Sequence, residues 1–291
     1  LSDCADASCA GALHCQRRVA GGRWSPAART VRLDVPLDSQ DARDRGCRLA
    51  GLNAGAGLRG LVQQSPDALD AFLRPDEDGV IPFVQLGWVR HWPMGRPVDE
   101  LAAVDLWFLE GRQVDGGFAP APGAFEGDDP ANPARVRFED LSVGPGGRVA
   151  GGPSTFEVPL NLAEAQGASL AIELVQATVH ARIGAAEQGF ALRDGRIEGY
   201  LSVDEIDRWI ETLVALCDAP DAPARCAELR RFVLDQPVPA IRDLVLFFVG
   251  DADARLAAAG PEPCNPALEP DCDAVSVCLF FAMDPVSVVA E

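Results

Sequence analysis

Val136-Arg-Phe-Glu-Asp-Leu-Ser-Val143 is followed by Gly144-Pro-Gly-Gly147, then Gly151-Gly-Pro153, then Thr155-Phe-Glu-Val-Pro-Leu-Asn-Leu162. Apolar and polar residues alternate in the two outer runs, and glycine and proline punctuate the middle. Alternation places successive side chains on opposite faces of a strand, and Gly/Pro clusters end strands in turns. The pattern continues in Leu170–Ile183 and, more briefly, in Arg193–Leu201. Upstream, Thr30–Leu37 alternates through Val31, Leu33 and Val35, while Val80–Trp92 and Val104–Leu109 are strongly apolar strands. Leu244–Val249 and Val275–Met283 supply late strands. The last of these is apolar on both faces, as a strand covered on both sides must be. The expected fold is mainly β (α+β): an antiparallel β-sandwich or curved sheet with a few short helices, closed by its C-terminal strand.

Two helical regions interrupt the strands. Residues 51–74 read as two short helices broken near Ser65-Pro66. Ser202-Val-Asp-Glu205 is a capping box, and Ile206, Trp209, Ile210, Leu213, Val214 and Cys217 then form a helical stripe. Asp221-Ala-Pro223 opens a second helix carrying Cys226, Leu229, Phe232 and Val233, which predicts a helical hairpin clamped by Cys217–Cys226. Glu110–Ala134, rich in Gly, Pro and Asp, reads as an exposed connection with little regular structure. Residues 1–28 read as a Cys-rich N-terminal extension and 29–291 as one β-rich domain.

The 291 residues carry 44 acidic and 25 basic side chains, a net charge of −19. Every basic residue is arginine, which we attribute to the codon bias of a GC-rich genome. So acidic a surface repels phosphate backbones and disfavours anionic headgroups, so nucleic-acid partners are not expected. No apolar stretch reaches the ~18 residues of a membrane span. The chain opens at Leu1 and not at Met, so it reads as processed or trimmed, and any signal peptide or lipid anchor would lie upstream.

Nine cysteines stand at 4, 9, 15, 47, 217, 226, 264, 272 and 278. They lack the paired spacing of a zinc site and read instead as disulfides of an oxidising compartment. Cys264-Asn-Pro-Ala-Leu-Glu-Pro-Asp-Cys272 is turn-like, which favours Cys264–Cys272. Cys4, Cys9, Cys15 and Cys47 are expected to form two bridges within the N-terminal extension, leaving Cys278 as a buried thiol on the last strand; the rival pairing joins Cys278 to Cys264 or Cys47 and frees a different thiol.

Candidate sites are sparse. Gly55-Ala-Gly57-Leu-Arg-Gly60 has the GxGxxG spacing but lacks the strand a dinucleotide site needs in front of it, so close packing of small residues is the better reading. Asp76 and Asp78 in Asp76-Glu-Asp78-Gly79 resemble half of a calcium loop, and a weak Ca2+ site is the one cofactor the sequence offers. Trp88, His91, Trp92 and Trp107 cluster in sequence and could stack on a sugar ring or hold an apolar ligand; a carrier would need a continuous apolar cavity lined by residues such as Trp88, Phe108, Phe138 and Phe248. Glu139, Asp140, Glu173 and Glu198 are the carboxylates that could pair in a glycosidase manner.

Ser2-Asp3-Cys4-Ala-Asp6-Ala-Ser-Cys9-Ala-Gly11 is similar to the tail of an Asp/Gly/Cys metal-binding repeat found in secreted bacterial proteins. Asp271-Cys-Asp273-Ala-Val-Ser-Val-Cys-Leu-Phe-Phe, with Arg137–Val143 and Gly152-Pro-Ser-Thr-Phe156, resembles a group of uncharacterised surface lipoproteins of GC-rich Gram-negative bacteria. That resemblance implies an outer-surface location and no known enzyme activity. The sequence therefore points to a non-enzymatic protein of the cell surface, periplasm or extracellular space, with a binding or structural role and a cell-envelope protein or glycan as partner. A carrier of an apolar or lipid ligand and a carbohydrate hydrolase are the alternatives. Oligomeric state is left open.

Overall fold

The computed structural model describes residues 17–19, 23–60, 69, 73–77, 79–90, 92, 97–121, 123–129, 132–161, 169–186, 189–220, 222, 226–227 and 230–289. Its strands are β1 Arg17–Val19, β2 Arg23–Asp34, β3 Gln85–Arg90, β4 Ala103–Val114, β5 Gly117–Pro120, β6 Val136–Gly144, β7 Arg148–Asn161, β8 Ser169–Ala186, β9 Gly189–Ser202, β10 Ala254–Ala257, β11 Gly260–Pro263 and β12 Ala274–Val289. The α-helices whose bounds lie among the described residues are α1 Ser39–Asp44, α2 Val203–Asp218 and α3 Val238–Val249.

The strands do not form a sandwich. They run in the order β2-β3-β4-β6-β7-β8-β9-β12, and β12 pairs antiparallel with β2 as well as with β9, closing an eight-stranded antiparallel barrel. Alternation looks the same in a sandwich and in a barrel; closure depends on curvature and on one long-range pairing. The curvature has local sources. Register shifts interrupt the β4–β6, β7–β8, β8–β9, β12–β9 and β12–β2 ladders, and Asp140, Gln176 and Asp194 take positive φ. Bulges of this kind bend and twist a strand enough to turn a sheet onto itself.

Inward-facing side chains fill the lumen. Phe108 of β4 meets Phe138 of β6, Phe156 of β7 and Phe281 of β12 edge-on, with centroids 6.0, 5.2 and 5.6 Å apart. Val104, Leu106, Val179, Ile183, Leu192, Val277 and Leu279 pack around them. Gly87 leaves the space that the Met283 sulfur occupies, since a Cβ there would lie 2.7 Å from it. Charged residues such as Arg148, Arg182 and Arg193 face outward. This is the polarity of a barrel in water, the reverse of a barrel whose outer surface meets lipid. No described helix is long and apolar enough to cross a membrane.

Four expectations need correction. Leu244–Val249 is not a strand but the second half of α3, whose Pro239 sits in the first turn, where its missing N–H is harmless. Glu110–Ala134 is not structureless. β4 continues to Val114, turns at Asp115-Gly116 and returns as β5, and Ala119, Ala124, Phe125 and Ala134 are buried. Cys278 is not a free thiol, and Cys47 does not bond within the N-terminal region: the two are joined, Cα to Cα 6.4 Å. Cys4, Cys9 and Cys15 lie outside the described residues. Among the described residues the other bridges are Cys217–Cys226, which ties the end of α2 to the following helical segment, and Cys264–Cys272.

The Cys47–Cys278 bridge pins a strap, residues 46–60, that crosses outward side chains of β9 and then pairs along the edge of β12, Ala56 opposite Val277. Cys278 N donates to Gly55 O at 2.8 Å and Gly57 N to Ser276 O at 3.0 Å. Asp253, 1% exposed, accepts from Asn53 N, Ser276 N and Ser276 Oγ, and Tyr200 Oη accepts from Ala50 N. The GxGxxG glycines supply the close approach. A Cβ on Gly57 would lie 2.5 Å from Ser276 O, and one on Gly60 2.2 Å from Phe248 O. The strap explains why β12 is apolar on both faces: one face lines the lumen and the other is covered.

Candidate functional site

The tryptophans divide between two faces. Trp88 and Trp107 stand directly opposite each other on β3 and β4, on the outside of the barrel, whereas Trp92 packs with the lumen cluster. Trp88 lies 6.0 Å from Phe125, and the Arg90 guanidinium sits 4.1 Å over the Trp107 ring. All three indoles are buried, so they act as packing, not as an exposed sugar platform. His91 lies outside the described residues. Phe108 and Phe138 touch, but Trp88 belongs to the outer cluster and Phe248 to α3, so the apolar pocket imagined from these four is not assembled.

Asp76 closes a turn. Its Oδ1 accepts from Val80 N at 2.9 Å, and Gly79 N donates to its carbonyl at 3.0 Å. Asp78 lies outside the described residues. Among those described, Cys264, Glu269 and Asp271 bring ligand-type atoms together. The Cys264 sulfur is already bonded to Cys272, and both carboxylates bind Arg255, at 2.9 and 2.5 Å. The cluster is a salt-bridged turn.

A concave polar site does form beside the outer tryptophans. Glu126, Arg135, Arg137, Phe138, Glu139 and Gly152 to Thr155 line an open groove of about 380 Å3, within the usual ~300–1,000 Å3 of small-ligand sites. Arg137 is opposite Trp107 in the β4–β6 ladder. Its guanidinium holds Glu126 at 2.5 Å and Glu139 at 3.1 Å, and donates to Ala134 O at 2.8 Å. The Glu126 hydrogen bond, supported by Glu139, raises the Arg137 pKa above its ordinary value. Arg135 pairs with Asp128 at 3.0 Å, and Ser154 Oγ donates to Arg137 O at 2.6 Å. Arg135, Arg137 and Glu139 occupy alternate positions at the start of β6, a period-two signal present in the sequence. Glu126 and Ser154 come from a loop and from the irregular stretch of β7, which no periodicity reveals.

The four carboxylates singled out from the sequence do not pair as acid and base. Glu139 is held by Arg137, and Glu198 is buried against Arg196 and accepts from Arg48 N at 3.2 Å. Asp140 N is bound by Asp105 Oδ1 at 2.9 Å. Glu173 lies opposite Glu157 in the β7–β8 ladder. Burial raises the Glu157 pKa, Glu173 raises it further, and Arg135 opposes both; Glu110 is likewise raised by burial and by Glu157. A carboxyl with a raised folded pKa is penalised when ionised, so its cost is absent below the unfolded pKa and complete above the folded one. Glu157→Gln is therefore expected to stabilise the protein by about 0.5 kcal/mol at pH 7. Thermal melts should show this gain shrinking as the pH falls through the carboxylate range; a lowered Tm at pH 7 would contradict the assignment.

No family model matches the chain, and no curated protein or solved structure matches it.

Proposed function

We propose that the chain is a non-enzymatic binding protein of an oxidising compartment, at the cell surface, in the periplasm or outside the cell, and that its groove holds a neutral, hydroxyl-rich ligand of the glycan class. The observation carrying this reading is the alternation of guanidinium and carboxylate groups around Arg137, with the Ser154 and Thr155 hydroxyls beside it. Sugar hydroxyls need donors and acceptors at once, and paired charges supply both with little net charge. The lumen at the level of Phe108 is occupied by rings, which favours an outer-surface site. Three disulfides support the oxidising compartment. The lipoprotein resemblance agrees with this location.

A glycan array probed with the wild type and with Arg137→Met tests the reading. Retention of neutral glycans by the wild type, weakened about tenfold by the loss of one charge-assisted contact set, is expected. An array with no retained glycan, or retention indifferent to Arg137→Met, would remove the proposal.

The apolar-carrier reading has one observation in its favour. Helix α3 exposes Leu244 and, at 77%, Phe247, and such residues suit a lipid or apolar ligand at the helical end of the barrel.

A further inference from the structure

Away from the groove, the ladders bring three arginines into line. Arg148 of β7 is the register partner of Arg182 of β8, and Arg182 is the partner of Arg193 of β9. Val149, Ile183 and Leu192, the neighbours of these three, point into the lumen, so all three guanidinium groups share the outer face. Beyond them Arg193 reaches Asp284 of β12 at 2.5 Å, and Asp284 is in turn opposite Arg29 of β2. The belt thus holds four arginines on five consecutive staves. Like charges directly opposite one another destabilise a sheet, so the row works against the fold that carries it. Its compensation is partial: Arg182 pairs with the exposed Asp194 at 3.3 Å and Arg193 with the half-exposed Asp284, contacts worth about 0–1 kcal/mol each. Arg148 is exposed and has no ion pair among the described residues.

We propose that Arg148, Arg182 and Arg193 form a docking row for a short acidic glycan carrying one carboxylate per sugar. Adjacent staves are about 4.8 Å apart, about the length of one sugar residue in a short uronic acid oligomer such as trigalacturonate. Each guanidinium can then take one carboxylate in a two-pronged contact. A short trianion fits better than a long polyanion, because the remaining acidic surface repels charge that extends beyond a Debye length, about 8 Å at physiological salt. This site is separate from the groove around Arg137 and does not depend on it.

Calorimetric titration with trigalacturonate tests the row, with maltotriose as the uncharged control and inorganic phosphate as the free-anion control. With the groove disabled by Arg137→Met, the protein should bind trigalacturonate at low ionic strength and not maltotriose. Arg148→Ser with Arg182→Ser should weaken binding at least tenfold, whereas Arg135→Ser in the groove should leave it unchanged. The same double substitution should leave the Tm equal or higher, because it relieves repulsion. Equal binding by the double variant, equal binding of maltotriose, binding of phosphate alone, or a Tm lowered by several degrees would each overturn the proposal.

Discussion

Replacing Cys47 and Cys278 together by alanine is expected to lower stability by about 5 kcal/mol. The bridge joins residues 231 apart, so it closes a loop holding most of the chain. In the chain-entropy treatment such a loop restrains the unfolded ensemble more than any short bridge can. Cys217–Cys226, with a separation of 9, should contribute only about 2–3 kcal/mol. The native geometry should survive, because the strap keeps its bonds from Cys278 N to Gly55, from Gly57 to Ser276 and from Asn53 to Asp253. Guanidinium unfolding under oxidising conditions checks this. The midpoint should fall and the denaturant slope should rise, since the unlinked chain expands further when unfolded. A loss below ~1 kcal/mol would mean that the unfolded state is held compact by something other than this bond.

Phe108→Ala should be nearly as damaging, at about 3–5 kcal/mol. The ring is buried at the centre of the lumen and touches phenylalanines from three other strands. Its removal forfeits the transfer energy and leaves a hole that a closed, hydrogen-bonded wall cannot fill by collapsing. The same substitution at Phe247, exposed on α3, should change stability by no more than ~0.5 kcal/mol. Chemical denaturation of both variants gives the comparison, and a small apolar probe such as benzene should bind and stabilise only Phe108→Ala. Equal losses in the two variants would mean that the lumen is not the centre of the fold.

Much of the barrel was legible in the sequence. All eight staves correspond to segments read as strands, and Leu170–Ile183 became Ser169–Ala186 with little change. Period two identifies which residues lie in the wall and which face each takes. It carries no information on whether the first and last staves meet, and that pairing, between β2 and β12, separates a barrel from a sandwich. Leu244–Val249 misled because an unbroken apolar run has no period of its own, although Pro239 ahead of it marked a helix start. Asp115-Gly116 is a hairpin signal that the surrounding prolines and glycines obscured. The last strand was correctly read as covered on both sides, but its cover was a distant strap with its own cysteine. At the groove, Arg135, Arg137 and Glu139 follow the strand period, whereas Glu126 reaches them only through the fold of the preceding loop.

The seam between β2 and β12 also constrains the order of events in the cell. A ribosome delivers β2 well before β12, with six other staves in between. Until the final stave emerges, seven strands stand as an open sheet with two unpaired edges and an apolar inner surface turned to water. That intermediate is prone to join other chains through its edges. Folding of the barrel therefore cannot be completed piecemeal during synthesis. It is a single event that waits for β12, and a chaperone that masks one sheet edge until that stave arrives would serve this protein better than one that assists any individual helix.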